Sequence, residues 1–296
     1  SGEMSIRSGL LLALGLVAVA FTGYWGAALL KERRSGAEPA DPVRWPTPLE
    51  LLIGFVIDFF DTLGIGSFAP TTSAFKLFRL CPDEKIPGSL NVGHAIPTFA
   101  EALIFIAIVK IEGATLASMI AAAVAGAWLG AGVVTRWPRR WIQLGMGVAL
   151  VLAAALFAMK NLQLFPAGSD SLGLSGLKLA LGLAGNFVLG ALMTLGIGAY
   201  APTMILTSLL GMNPTTAFPI MMGSCAFLMP AADVRFIRSG RYARGPSLGL
   251  TLGGTPAVFI AAYLVTSLPL TALRWGVICV VLYTAVMMLR AAACAE

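Results

Sequence analysis

Charged residues are scarce in this sequence. Asp, Glu, Lys and Arg make up 11% of the 296 residues, hydrophobic residues make up 58%, and the mean hydropathy is +0.86. A soluble domain of this length cannot bury so much apolar surface in one core, since globular chains carry about 25% charged residues. The composition therefore excludes a soluble globular protein and indicates that much of the surface contacts lipid.

An alternation of polar and apolar residues is also missing, which argues against membrane-spanning strands. The chain instead contains long apolar runs rich in Gly, Ala and Leu, a composition typical of packed membrane helices. A helix of about 20 apolar residues spans the ~30 Å hydrocarbon core of a bilayer. Residues 10–30 form such a run without any charge. We therefore predict an all-α polytopic membrane protein.

Cysteine is rare and shows no pattern of a metal or disulfide framework. The four cysteines have no CxxC spacing and lie mostly in apolar surroundings, so we interpret them as small buried hydrophobic residues. They are Cys81, Cys225, Cys279 and Cys294. We predict no metal ion and no cofactor.

The formal net charge of +6 does not indicate a nucleic-acid partner. Fifteen of the 20 Lys and Arg residues lie in four short loops and at Arg290. The four loops separate apolar runs, at 31–44, 76–85, 136–140 and 235–244. Positive charge in such loops marks the cytoplasmic side of a membrane protein. We therefore exclude nucleic acid as a partner.

An internal repeat relates the two halves of the chain. A shift of 132 residues aligns residues 55–71 (FVIDFFDTLGIGSFAPT) with residues 187–203 (FVLGALMTLGIGAYAPT), and ten of these 17 positions are identical. The same shift pairs Glu101 with Asp233, which precedes Arg235 and is expected near the cytoplasmic surface.

The repeat predicts the division of the chain. Residues 1–9 contain an expression remnant ahead of Met4 and the N-terminus, 10–30 an additional transmembrane helix, and 31–48 a cytoplasmic loop. The first repeat covers 49–160, a linker covers 161–177, and the second repeat covers 178–291. Each repeat has four apolar segments. These are 49–79, 86–109, 113–135 and 141–160 in the first repeat, and 178–210, 214–234, 246–267 and 271–290 in the second.

The loop charges predict how the segments cross the membrane. The loops on both sides of segment 49–79 are basic, and the loops on both sides of segment 178–210 are poor in positive charge. If basic loops share the cytoplasmic side, each of these segments forms a re-entrant hairpin. Each repeat then has three spans, an odd number that inverts the second repeat relative to the first, and residues 10–30 bring the total to seven spans and two hairpins. The alternative is that both segments are kinked helices, which gives nine spans.

A Thr-Leu-Gly-Ile-Gly sequence interrupts the first segment of each repeat. Its glycines permit a turn, and Pro70 and Pro202 suit the first turn of a new helix. The N-terminal end of such a half-helix offers unpaired N–H groups and partial positive charge, so two such ends predict a site for a small anion. The alternative is that the glycines only allow close helix packing. The predicted site residues are Thr62, Gly64, Ile65, Gly66, Ser67, Thr71, Thr72, Thr194, Gly196, Ile197, Gly198, Ala199 and Thr203.

The helix after the first turn carries Asn91 and His94 on one face. We predict that both complete the anion site, with Ser224 as the nearest polar counterpart in the second repeat. Histidine within a membrane is often functional. The alternative for His94 is a structural hydrogen bond.

Three carboxyl groups lie within the apolar segments of the first repeat. A carboxylate in an anion pathway is unfavourable unless it is protonated or paired. We therefore predict that Asp58, Asp61 and Glu101 couple transport to protons. The alternative is that they pair with Lys76, Arg79 or helix ends.

These turns, together with two glycine-containing stretches, resemble the TauE/SafE family of sulfite and organosulfonate exporters over about residues 45–290. The family has a GxGGG-like turn with a downstream proline in each half and a later PGxxxGA-like stretch. The matching residues here are Gly64-Ile65-Gly66-Ser67 with Pro70, Gly196-Ile197-Gly198-Ala199 with Pro202, Ala125-Gly126-Ala127-Trp128-Leu129-Gly130-Ala131, and Gly253-Gly254-Thr255-Pro256. The chain departs from the family at the third glycine of each turn and in the additional N-terminal span. The resemblance implies export of small sulfur oxyanions or sulfonates.

We therefore predict a secondary transporter of the cell inner membrane, not an enzyme, that binds a small anion between the two turns and exports it by alternating access. Its predicted partners are the anionic substrate and the lipid bilayer, and a homo-oligomer is left open. The alternatives are an importer or passive channel for another anion and an intramembrane serine hydrolase built on Ser67 and His94. The hydrolase is disfavoured because Ala199 replaces Ser67 in the second turn.

Overall fold

The computed structural model describes residues 2–34, 44–196, 198–264 and 270–294. Over these ranges the chain forms eleven α-helices, two short 3₁₀ turns and one isolated bridge between Ser171 and Met212. The helices are α1 Gly2–Arg34, α2 Pro48–Thr62, α3 Phe68–Leu77, α4 Ile86–Ile108, α5 Gly113–Val134, α6 Arg139–Asn161, α7 Gly176–Met193, α8 Tyr200–Leu209, α9 Ala217–Ser239, α10 Arg244–Leu264 and α11 Leu270–Cys294. The all-helical prediction is confirmed.

Six helical segments in the described part of the chain are long and apolar enough to cross a membrane, which confirms a multi-pass membrane protein. Five of them coincide with predicted spans, and the sixth is α7, which the loop charges assign to a hairpin. The six segments are Ile6–Arg34, Asp83–Ile108, Gly113–Val134, Arg139–Asn161, Gly176–Met193 and Ala217–Ser239.

A break divides the leading segment of each half into two helices, and the first break follows directly from its sequence. At the end of α2, the Gly64 N–H donates to the Asp61 carbonyl at 2.8 Å and the Ile65 N–H donates to the Phe60 carbonyl at 3.0 Å. This pair of bonds is a Schellman motif, which requires a left-handed residue after the helix. Gly64 supplies it with φ 92°. The second half has the same feature in Gly196, whose φ is 91°.

Each interrupted segment packs mainly on the opposite half of the chain. Helix α2 lies along α10, and α7 lies along α5. Glycines bring these backbones together, since a Cβ atom on Gly54 would lie 2.7 Å from the Gly249 carbonyl oxygen, and one on Gly130 would lie 2.7 Å from the Ala191 carbonyl oxygen. Between the halves, α4 packs on α9 and α6 packs on α11. The turns are therefore held at the interface between the halves.

Helix α1 packs against α4, α5 and α9. The Arg7 side chain donates to the Ile106 carbonyl oxygen at 2.6 Å, at the C-terminal end of α4, where carbonyl groups have no helical partner. At its other end, Glu32 pairs with Arg244 at the start of α10. Helix α1 is thus attached to both halves.

The predicted burial of the cysteines holds only in part. Cys225 is buried, but Cys279 and Cys294 are exposed on α11. The interpretation of these two as buried hydrophobic residues is therefore wrong. Helix α11 is the last described helix and packs mainly on α6, so much of its remaining surface is uncovered.

Candidate functional site

The two turns face each other in the interior. A Cβ atom on Gly196 would lie 3.8 Å from the Thr72 hydroxyl oxygen, and a Cβ atom on Gly198 would lie 4.0 Å from the Phe68 side chain. A cavity of about 20 Å³ lies between the turns. Its lining comprises Asp61, Gly66, Ser67, Phe68, Thr98, Met193, Gly198, Ala199, Met221, Met222, Cys225 and Met229. Of the residues predicted for the anion site, the structure brings Gly66, Ser67, Gly198 and Ala199 to this cavity.

A continuous hydrogen-bonded chain connects α2, α4 and α3 beside the cavity. His94 Nδ1 lies 2.7 Å from Asp58 Oδ1, and His94 Nε2 lies 2.8 Å from Thr71 Oγ1. The Thr71 hydroxyl also lies 2.8 Å from the carbonyl oxygen of Ser67, the residue before α3. Asp58, Thr71 and His94 are all buried. The chain therefore runs from a buried carboxyl group to the N-terminal end of α3.

The number of hydrogens in this chain limits its protonation states. Thr71 has one hydroxyl hydrogen, and a carbonyl oxygen can only accept. When Thr71 donates to Ser67, His94 Nε2 must carry a hydrogen and donate to Thr71. His94 Nδ1 and Asp58 then need a second shared hydrogen. The Asp58–His94 pair can therefore gain or lose a proton as the Thr71 hydroxyl turns from Ser67 to His94.

Two more carboxyl groups lie beside this chain. The Thr62 hydroxyl is 2.8 Å from both Glu101 Oε1 and the Asp58 carbonyl oxygen. Asp61 interacts with the Ser67 side chain and with the charge of Asp58. One oxygen of Asp58 and one of Glu101 are buried without a hydrogen-bond partner in the described structure. The carboxyl groups are thus concentrated on one side of the cavity.

The proposed pairing of these carboxyl groups with Lys76 or Arg79 is wrong for Asp58 and Glu101. Asp58 pairs with His94, Glu101 is bonded to Thr62, and Lys76 pairs with Asp83 at 2.5 Å. The buried carboxyl groups therefore depend on a histidine and on hydroxyl groups of their own half.

Other predicted residues lie beside the cavity lining without belonging to it. The Asn91 amide donates to the Pro87 carbonyl oxygen at 2.9 Å, and the Thr194 hydroxyl donates to the Ala191 carbonyl oxygen at 2.6 Å. Ser224 accepts from Asn186 at 2.9 Å. Ile65, Thr72 and Thr203 are buried, and the hydroxyl oxygens of Thr72 and Thr203 have no partner among the described residues. Ile197 lies outside the described residues.

Sequence reasoning missed the residues that α9 and the end of α7 contribute to the cavity. Met193, Met221, Met222, Cys225 and Met229 all line it, and all are buried. The pattern Met-Met-Gly-Ser-Cys near the start of α9 was the available signal. Methionine is so common in apolar helices that the pattern alone does not indicate a site.

Asp233 is more buried than its place beside Arg235 indicated, and its position near the cytoplasmic surface stays a prediction. Its side chain is fully buried, and neither carboxyl oxygen has a hydrogen-bond partner in the described part of the chain. Helix α9 extends to Ser239, beyond the predicted end of that segment at 234. Asp233 therefore lies inside the helix, while Arg235 stacks on the Trp128 ring at 4.0 Å.

The arrangement does not assemble a serine hydrolase from Ser67 and His94. Both ring nitrogens of His94 are already taken, by Asp58 and by Thr71. A serine nucleophile needs a base within hydrogen-bonding reach of its hydroxyl. Ser67 instead interacts with the Asp61 carboxyl group.

A second cavity, of about 320 Å³, lies at the C-terminal end of α3. Lys76, Arg79 and Arg139 line it together with Asp83. Three cationic side chains around one carboxylate leave a positive potential, which attracts anions from solution. Helix α3 runs from the first turn to this cavity.

Comparison with known proteins gives one match. The family model described as "Sulfite exporter TauE/SafE" matches residues 4–157, just over half of the chain. The match extends from α1 into α6, so it includes the helix that the sequence resemblance treated as additional. Searches of the curated proteins and of the solved structures find no match for the chain.

Proposed function

Because the chain belongs to the TauE/SafE family of sulfite exporters, we propose that this multi-pass membrane transporter exports sulfite or an organosulfonate from the cell across the inner membrane. The observation that carries the proposal is the cavity where the two glycine turns meet beside a cluster of titratable side chains. The cavity of about 20 Å³ holds little more than one water molecule by the usual measure of about 10–15 Å³ per water. Binding of an anion therefore requires the turns to move apart, as alternating access demands.

The packing of the helices supports two repeats related by a two-fold axis. When the halves are exchanged by the 132-residue shift, α2 on α10 becomes α7 on α5, and both pairs are present. The pairs α4 with α9 and α6 with α11 are unchanged by the exchange. Such a pattern is expected of a two-fold related transporter with its site between the repeats.

The lengths of the broken helices bear on the hairpin topology. Helix α2 has 15 residues and is about 22 Å long, too short for the ~30 Å hydrocarbon core. Helix α7 has 18 residues and is about 27 Å long, which suffices for a span. The length of α2 thus fits a re-entrant hairpin better than the length of α7 does. Kinked helices that cross the membrane, which give nine spans, stay the alternative for both segments.

Labelling of single cysteines tests this topology. Cysteines placed at Lys76 and Lys85 are expected on the same side as one at Arg34, in a background without the four native cysteines. Labelling from opposite sides would exclude the first hairpin. A cysteine at Arg290 is the control for the cytoplasmic side.

We assign the anion to the N-terminal ends of α3 and α8. Gly66 and Ser67 before α3, and Gly198 and Ala199 before α8, line the same cavity. Unpaired N–H groups at helix starts favour a bound anion. Thr72, whose hydroxyl is buried without a partner among the described residues, is available to donate a further hydrogen bond.

The carboxyl cluster supports coupling to protons. An anion in the cavity and ionised Asp61, Asp58 and Glu101 side chains would repel each other in a buried site. Anion binding therefore favours protonation of the cluster, and by linkage protonation favours anion binding. The Asp58–His94 pair and Thr71 provide a path by which that proton changes the hydrogen bond at Ser67.

Flux of radiolabelled sulfite into proteoliposomes, with and without an imposed pH gradient, tests the proposal. Saturable flux that responds to the gradient is the expected result. Methanesulfonate serves as a second substrate, because it remains a monoanion over this pH range. A response of methanesulfonate flux to the pH gradient therefore reports protons carried by the protein and not protons bound to sulfite. Absence of flux with sulfite, methanesulfonate and sulfoacetate would remove the substrate assignment.

A further inference from the structure

The two sides of the cavity between the turns differ in chemistry. On the side of the first half, Asp61, Ser67 and Thr98 present oxygen atoms. The second half contributes Gly198 and Ala199 at the start of α8 and a group of sulfur-containing side chains, here called the sulfur wall. The sulfur wall comprises Met193, Met221, Met222, Cys225 and Met229.

The side chains of the sulfur wall are buried, and the two helices that carry them are in contact. Met193 is 2% exposed and Cys225 is 5% exposed, and the Cys225 Sγ lies 3.5 Å from the Met193 Sδ. Met193 comes from the end of α7, whereas the other four side chains come from α9. Two helices therefore build one surface, which borders the ends of both turns.

The sulfur wall offers almost no hydrogen bonds. Thioethers do not donate, and a thiol is a weak donor. Ser224, the polar neighbour of Cys225, does not line the cavity, and its hydroxyl accepts a hydrogen bond from Asn186. The same amide nitrogen donates to the Met119 carbonyl oxygen at 2.7 Å, which holds this pair against α5. An anion in the cavity can thus be hydrogen-bonded at the starts of α3 and α8 and by the side chains of the first half, but not by the sulfur wall.

This asymmetry distinguishes two kinds of anion. Sulfate and phosphate carry an oxygen at each of four corners, so one oxygen would face the sulfur wall without a donor. Sulfite has a lone pair at its fourth corner, and a sulfonate has a carbon atom there. Burying an oxygen without a hydrogen bond lowers affinity by roughly 10- to 100-fold, whereas a soft or apolar corner packs well on polarisable sulfur.

We propose that the sulfur wall determines specificity by contacting the fourth corner of an anion that has three oxygens on one face, and by rejecting anions with oxygens all round. The proposal rests on the anion site assigned to the turns and deepens it. It assigns a role to Met193, Met222 and Cys225 as contacts of the substrate rather than as filling of the core.

Competition for methanesulfonate flux in the wild-type protein is the first test. Unlabelled sulfite is expected to inhibit, and sulfate and phosphate are expected to need concentrations at least about 10-fold higher. Equal inhibition by sulfate and sulfite would overturn the proposal and leave the proposed transport standing. Absence of methanesulfonate and sulfite flux in the wild type would instead remove the proposed function on which the proposal depends.

Met193→Gln and Met222→Gln provide the second test, since glutamine is close to methionine in size and adds a donor. Each is expected to make sulfate compete about 10-fold better than in the wild type. Met193→Leu, which adds no donor, is expected to keep the rejection of sulfate. Met288→Gln is the matched control, because Met288 is buried in α11 away from the cavity. Unchanged rejection in both glutamine variants, or an equal change in Met288→Gln, would overturn the proposal.

Discussion

At corresponding positions beside the two turns, the first half of the chain carries Asp58 and Asp61, and the second half carries Gly190 and Met193. The glycines that form the turns are nevertheless the same, with φ near 90° at Gly64 and Gly196 (92° and 91°). The two halves therefore share a backbone design and divide the chemistry between them. The comparison teaches that the backbone geometry occurs twice, whereas the buried carboxyl groups beside the turn occur only in the first half.

The strongest way to break this comparison is to damage each turn in the same way. Gly64→Val and Gly196→Val force a β-branched residue into left-handed backbone, which raises the free energy of each turn by about 1–2 kcal/mol or more. We expect both variants to lose at least about tenfold in flux, since both turns must be formed. The measurement is flux divided by the amount of folded protein, and size-exclusion chromatography gives that amount.

Gly23→Val is the control for the turn variants, because a Cβ atom on Gly23 meets nothing within 4 Å in the middle of α1. Normal flux in Gly196→Val with loss in Gly64→Val would show that only the first turn binds substrate. The equivalence of the backbones would then be structural and not functional.

The next prediction concerns the one pair of corresponding carboxyl groups. Glu101 is bonded to Thr62 next to the Asp58 cluster, whereas Asp233 has no hydrogen-bond partner among the described residues. We expect Glu101→Gln to remove the response of methanesulfonate flux to an imposed pH gradient, because a glutamine cannot exchange a proton. Asp233→Asn is the matched control and should keep the response. An unaltered response in Glu101→Gln would exclude this residue from proton coupling.

The helices could be predicted from the sequence because their signals are local. Runs of apolar residues end at Pro, Gly and charged loops, so the predicted ends of 86–109 and 113–135 lie within one residue of α4 and α5. The turns could be predicted because the same glycine pattern occurs twice. The end of α9 could not, because Arg235 and Arg238 in its last two turns suggest a loop.

The contacts of the site could not be predicted, because they depend on how helices cross. Asp58, Thr71 and His94 come from three helices, and nothing in their spacing shows that both ring nitrogens of His94 are used. The spacing predicted a shared face for Asn91 and His94, but Asn91 is bonded to its own helix. Side-chain partners across helices are a property of tertiary packing.

The hydroxyl groups of Thr71 and the corresponding Thr203 also differ between the halves, and smaller effects are expected from changing them. Thr71 is bonded to His94, whereas the hydroxyl of the corresponding Thr203 has no partner among the described residues. We expect Thr71→Val to weaken substrate binding about 10-fold, since one buried hydrogen bond is lost and His94 is left unsatisfied. Thr72→Val and Asn91→Leu should also weaken binding, with normal expression.

Thr203→Val is the control for these variants and should change the half-saturating concentration by less than about threefold, because the Thr203 hydroxyl has no hydrogen-bond partner among the described residues to lose. The concentration dependence of flux is the measurement. Unchanged affinity in Thr71→Val, Thr72→Val and Asn91→Leu would place the anion site elsewhere.

The smallest expected effect is at Ser224, the polar residue of the second half that sequence reasoning assigned to the anion site. Its hydroxyl accepts from Asn186 between α7 and α9, so it stabilises the packing of helices and does not face the substrate. Ser224→Ala should therefore lower stability by about 1 kcal/mol through the loss of one hydrogen bond. A thermal shift of a few degrees with unchanged affinity is the expected result. If affinity instead falls as far as in Thr71→Val, the second half contributes a polar ligand after all, and the division of chemistry between the halves is wrong.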